Sequence, residues 1–231
     1  MAIYPVTPLP TVSMAANGIF EQSMSKKIEN SSAMRDLYCD LMEEIKRRIT
    51  VVTNITAGLL PLPRIVAYEI CYLQLRMVCE LIALSCLAAH GDLPEAKGKK
   101  LSKAYNADEI IKQLEKLHSN FYPIPSRQIC NAQTGRPERV EPITQGYLKK
   151  EDLLRLYGEC GDVLHRGNLR HILSGKEKEI SFEKINGWVQ RITTLLNHHQ
   201  IQLIREDEMF WILMQSGTDG KVHGALMKKA A

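Results

Sequence analysis

The run from Arg64 to His90, RIVAYEICYLQLRMVCELIALSCLAAH, constrains this chain more than any other segment. It is apolar almost all the way round, yet it carries Glu69, Arg76 and Glu80. At about 100° per residue those charges fall within about 40° of one another, one polar stripe on an otherwise buried rod. A helix this apolar must be wrapped by other elements, and buried charges persist only when paired or hydrogen-bonded. The stripe therefore predicts a polar centre inside a helical fold, with its partners on another element. The longest charge-free part, Leu81 to His90, falls far short of the roughly 20 residues a bilayer demands. No membrane span or membrane partner is expected.

The 231 residues suit one medium domain with a substantial core. With 45% apolar and 24% charged residues, the composition is that of an ordinary globular protein. A net charge of +4 is too scattered to argue for nucleic acid by itself. The densest basic patch, Lys97 to Lys103, reads first as a solvated loop. Six cysteines include no CxxC pair and no cysteine–histidine cluster at zinc spacing, so no metal is expected. No GxGxxG, Walker A or GxSxG motif is present, so no cofactor is expected either. Cys71, Cys79 and Cys86 lie within the apolar run, where a free thiol behaves as a small hydrophobe; a reduced, cytoplasmic setting follows. The N-terminus lacks both a basic n-region and an unbroken apolar h-region, so no signal peptide is expected.

Residues 1–30, rich in Pro, Ser, Thr and Asn, read as an N-terminal arm. Ser31 or Ser32 is placed to cap a helix running to about Thr56, with Met34, Tyr38, Leu41, Ile45, Ile49 and Val52 on one side. Gly58, Pro61 and Pro63 break the chain before the apolar helix, which Gly91, Asp92 and Pro94 end. Two long helices joined by a short turn make an antiparallel hairpin. Asn106 and Glu109 have capping-box spacing at the head of a short third helix. From about 120 to 147, Pro123, Pro125, Pro137 and Pro142 mark an irregular insertion, either a binding loop or a poorly ordered segment. A fourth helix covers about 150–165 and a fifth, capped by Ser181, about 181–198. The period then changes: Gln200–Ile204, Met209–Gln215 and Lys221–Met227 read as three strands joined by turns.

Along the fourth helix, Leu154, Gly158, Gly161 and His165 share one narrow strip. Two glycines in a helix cost about 1 kcal/mol each relative to alanine, so they predict a close approach by a neighbouring backbone. That strip would bring His165 toward the charged stripe, with Asp162, Arg166 and Asn168 adding polar groups near it. Either His165 is a satisfied histidine pinning two helices, or Glu80 or Glu69 orients it as an acid or base. His198 and His199 fit a charge–dipole placement at the end of the fifth helix.

The segment CGDVLHRGNLRH contains Arg166, four intervening residues and His171. Here the chain resembles the HEPN superfamily of small all-α bundles, whose active members carry an arginine–polar–histidine motif. The resemblance covers the helical hairpin and the 150–200 segment. It implies a homodimer and metal-independent cleavage of RNA, or the handling of a nucleotide. His171 would deprotonate the 2′-hydroxyl and Arg166 would steady the phosphate. Arginine's planar donor fork and histidine's titration near neutrality suit those roles. Gly167 stands where the family has a polar residue, and Asn168 comes one position late.

The expected fold is mainly α: an antiparallel helical bundle over 31–198, with a small C-terminal antiparallel β-meander over 199–231 packed on it. Two functions compete. One is an interaction or regulatory protein, dimeric, whose polar network of Glu69, Arg76, Glu80, Asp162 and Asn168 serves structure. The other is a HEPN-like metal-independent nuclease or nucleotide-handling enzyme using Arg166, His171 and His165 with Arg76 and Glu80.

Overall fold

A computed structural model describes residues 14–91, 106–134, 137–165, 181–205 and 207–228, with side chains from residue 32 onward except that of Pro137. Five helices are described: α1 (Met14–Thr56), α2 (Arg64–Ala89), α3 (Ala107–Leu117), α4 (Lys150–Leu164) and α5 (Phe182–Leu196). Five strands accompany them: β1 (Ile124–Cys130), β2 (Pro137–Pro142), β3 (His198–Gln202), β4 (Glu208–Leu213) and β5 (His223–Lys228). The fold is thus mixed, helix-rich with a five-stranded antiparallel sheet, and not mainly α with a meander confined to the C-terminus.

The additional strands come from the proline-rich stretch. β1 and β2 form an antiparallel hairpin, and β1 joins β3 through Ile124 and Pro125, giving the order β2-β1-β3-β4-β5. Proline lacks the N–H a ladder needs, so it is tolerated at strand ends and sheet edges. Pro137 and Pro142 occupy the two ends of edge strand β2, and Pro125 lies where β1 meets β3. The prolines that read as disorder mark where this hairpin's pairing stops.

α1 begins at Met14, within the stretch that reads as an arm. Arg48 Nη1 donates to Gln74 at 3.0 Å, while Tyr38 lies beside Ser85 and Cys86, so α1 and α2 run antiparallel. Side-chain caps start two of the helices. The Asn106 side chain accepts from the Asp108 N–H at 2.9 Å, and Ser181 Oγ from the Lys184 N–H at 3.2 Å.

α2 is the axis of the molecule and packs against α1, α3, α4 and α5. Leu75, Val78, Cys79, Ile82 and Ala83 are fully enclosed. By length and composition this helix could cross a membrane, but 56% of its most apolar 18-residue window is buried inside the protein. The sheet alternates. His199, Ile201, Phe210 and Ile212 face the helical core, whereas Gln200, Trp211 and Leu213 lie on the other face. β5 reaches α1 closely: a Cβ on Gly224 would come within 2.7 Å of Cys39 Sγ, so only glycine fits without a shift.

Candidate functional site

Arg76 and Glu80 stand one turn apart on α2, the spacing at which helical side chains meet, and their Nε and Oε1 are 3.3 Å apart. The third member comes from α4. Tyr157 Oη donates to Glu80 Oε1 at 3.1 Å and accepts from Arg76 Nη2 at 3.0 Å. The Arg76 guanidinium also lies 4.6 Å from the centroid of the Tyr157 ring. Each charge is thereby met by a neighbour, and the cluster closes on itself. Its side chains are not sealed: Arg76 is 32% exposed and Glu80 19%.

Tyr157, Cys160 and Cys79 are held in their uncharged forms at this centre. Burial, followed by the field of Glu80, raises the Tyr157 phenol above its ordinary range, which keeps its proton in place as a donor. Burial pushes the Cys160 thiol up to about 12 and the Cys79 thiol well above the ordinary thiol range, removing both as nucleophiles at neutral pH. Beside them Trp188 Nε1 donates to Glu159 Oε2 at 3.3 Å, and Arg155 and Arg191 each lie 5.2 Å from the Trp188 ring. The Glu159 and Arg155 contacts bind α4 to α5, while Arg191 covers the ring from within α5.

The remaining predicted residues are dispersed. Glu69 is exposed and shares no ion pair with Arg76, so the arginine bridges one carboxylate and not two. His165 is exposed at the end of α4, where its N–H returns to the Gly161 carbonyl at 3.0 Å; Asp162 is exposed one turn earlier. Arg166, Asn168 and His171 lie outside the described residues, as does the Lys97–Lys103 patch. Among the described residues no neighbouring backbone approaches the glycine strip. A Cβ on Gly158 would meet open space, and one on Gly161 would rest 3.7 Å from Arg76 Nη1. Tyr157 reads from the sequence as a core residue. Its place four residues before Gly161, on the side facing Arg76, was the signal available.

A second set of polar groups is buried where the sheet meets the helices. His199 Nδ1 donates to the Leu196 carbonyl at 2.8 Å, so its Nε2 accepts the Tyr38 hydroxyl at 2.7 Å. Burial, the main cause, lowers the pKa of His199 to about 4. This histidine therefore caps α5 as a neutral donor and not through charge–dipole attraction. His198 lies on the other face, with Nδ1 2.8 Å from Ser126 Oγ and its ring edge-on to Trp211 at 5.2 Å. His90 Nδ1 donates to the Cys86 carbonyl at 2.7 Å, and its Nε2 lies 3.0 Å from His118 Nδ1. Among the described residues no three His, Cys, Asp or Glu side chains are placed to hold a metal ion. A cavity of about 220 Å³ between α1 and α5, floored by Ile45, Ile49, Ile192 and Leu196, is lined by none of the network residues.

Comparison with known protein families, with curated proteins and with solved structures gives no match for this chain.

Proposed function

We propose that this protein is a cytoplasmic interaction or regulatory module, non-enzymatic and homodimeric, in which the helices form an antiparallel bundle and the polar centre serves structure. The observation that carries this reading is the closed Arg76–Tyr157–Glu80 cluster. Its one arginine is committed to an acceptor on each side, its tyrosine is held protonated, and its neighbouring thiols are held neutral. General acid–base work needs a group poised near the working pH, and none of the groups displaced at this centre moves toward neutrality. Self-association is supported by large apolar side chains left in solvent along the hairpin, Leu59, Leu60, Leu62, Ile65, Val66 and Leu73 among them.

Two measurements test it. Light scattering on the purified protein is expected to return twice the chain mass, and a monomer mass would remove the dimeric part. Incubation with total RNA in the presence of EDTA is expected to leave the RNA intact. Cleavage that persists in EDTA and disappears in the Arg166→Ala, His171→Ala double variant would replace this reading with that of a HEPN-like nuclease.

A further inference from the structure

One stripe of α2 carries a pattern that core packing explains only in part, since Ile70, Leu84 and Leu87 rest against the core while Val66 and Leu73 stand in solvent. Val66, Ile70, Leu73, Met77, Leu84 and Leu87 recur at alternating spacings of four and three residues, with Glu80 as the polar member between Met77 and Leu84. That is the repeat by which one helix packs along another. The stripe is open at its N-terminal half. Leu73 is 44% exposed and Val66 38%, while Ile70 and Met77 are partly buried. Glu69 and Arg76, seven residues apart, flank this open half on the same side. Glu69 is exposed and, among the described residues, has neither hydrogen bond nor ion pair.

We infer that this stripe is a two-fold interface, on which a second copy of the chain lays its own α2 antiparallel; the inference rests on the dimeric reading above. The charges select both occupant and direction. In a parallel pairing Glu69 would face Glu69 and Arg76 would face Arg76, two repulsions at the seam. In the antiparallel pairing that sets Ile70 against the second copy's Leu73, Val66 faces the second copy's Met77. Glu69 then comes within reach of the second copy's Arg76. A two-fold axis makes every such contact twice, so each Glu69 adds a second carboxylate to an Arg76 that already holds Glu80 and Tyr157 but stays 32% exposed. The same register carries Leu60 and Leu62, 43% and 37% exposed at the hairpin tip, toward the second copy's Leu84. Apolar side chains left in solvent on one chain are thereby covered by the other.

Leu73→Glu puts a carboxylate at the centre of the proposed seam, on a side chain that the single chain leaves in solvent. Light scattering at micromolar concentration is expected to show a dimeric parent and a monomeric Leu73→Glu variant with an unchanged far-UV spectrum. Glu69→Lys, on the rim, is expected to weaken dimerisation by about tenfold and to make it less sensitive to salt. Ile124→Glu, 47% exposed on the sheet, is expected to leave the dimer intact. A dimeric Leu73→Glu variant would overturn the seam and leave the dimeric reading standing, and so would a monomeric Ile124→Glu variant, which would move the interface to the sheet. A monomeric parent would overturn both, leaving the face to a helix of another protein.

Discussion

Two polar clusters tie this fold together, and they are built on opposite principles. Between α2 and α4, Arg76, Glu80 and Tyr157 share charge at a half-wet surface, where water screens any partner that is lost. Between α1 and β3, Tyr38 and His199 share one neutral proton in a place with no measurable solvent access. The difference teaches that charge is not what makes a polar contact indispensable. Dryness is, because a buried group without a partner bears its full desolvation cost. The charged cluster stands out in the sequence, yet the uncharged one is expected to govern stability.

Acid tests that contrast most strongly. His199 has a folded pKa of about 4, below its ordinary value of 6.5, so its contribution is fully present above pH 6.5 and is lost as pH falls toward 4. The shift corresponds to about 3 kcal/mol. Urea unfolding followed across that window is expected to show this loss, and His199→Gln to flatten it. An unchanged slope in the variant would assign the acid sensitivity elsewhere, with His90, also lowered by burial, the first alternative. Next in size is Tyr38→Phe, which leaves His199 Nε2 without a donor and is expected to lower stability by about 2 kcal/mol.

For the wet cluster the expected effects are smaller. Arg76→Ala strands Glu80 at a partly solvated position, and a loss of about 1–2 kcal/mol is expected, between the values for exposed and sealed pairs. Arg76→Met combined with Glu80→Leu is expected to recover much of it. If thermal denaturation shows Arg76→Ala costing more than Tyr38→Phe, the comparison between dry and wet clusters fails. Gly158→Ala, facing open space on α4, is expected to raise stability by up to about 1 kcal/mol through helix propensity alone. A decrease would reveal a neighbour at that surface.

How far the sequence reached depended on which signals were local. Periodicity and caps located α2, α3 and α5, because the stripe, Asn106 and Ser181 report on their own helices. The β1–β2 hairpin was illegible, since prolines 123, 125, 137 and 142 are breakers in any local reading. Only tertiary facts make them harmless: β2, which holds Pro137 and Pro142, is an edge, and Pro123 and Pro125 lie before the β1–β2 pairing begins at Ser126. At the polar centre Arg76 and Glu80 were legible through their shared stripe, but Tyr157 was not, because a tyrosine's hydroxyl and its ring give opposite signals about burial. The glycines misled for a related reason. Gly158 and Gly161 look like a docking strip, while a glycine that does admit a close neighbour is Gly224, in a strand whose partner helix lies far away in sequence.

Gly224 leaves one more mark on the molecule. Because it presents only hydrogen to α1, β5 lies over the sulfur of Cys39, whose thiol burial pushes up to about 11. The strand covers the thiol only in part, since Cys39 stays half-buried beside an open cleft lined by Arg35, Asp36 and Val222. How far its labelling rate falls below that of exposed Cys130 therefore measures how much cover the edge of the sheet gives the long helix.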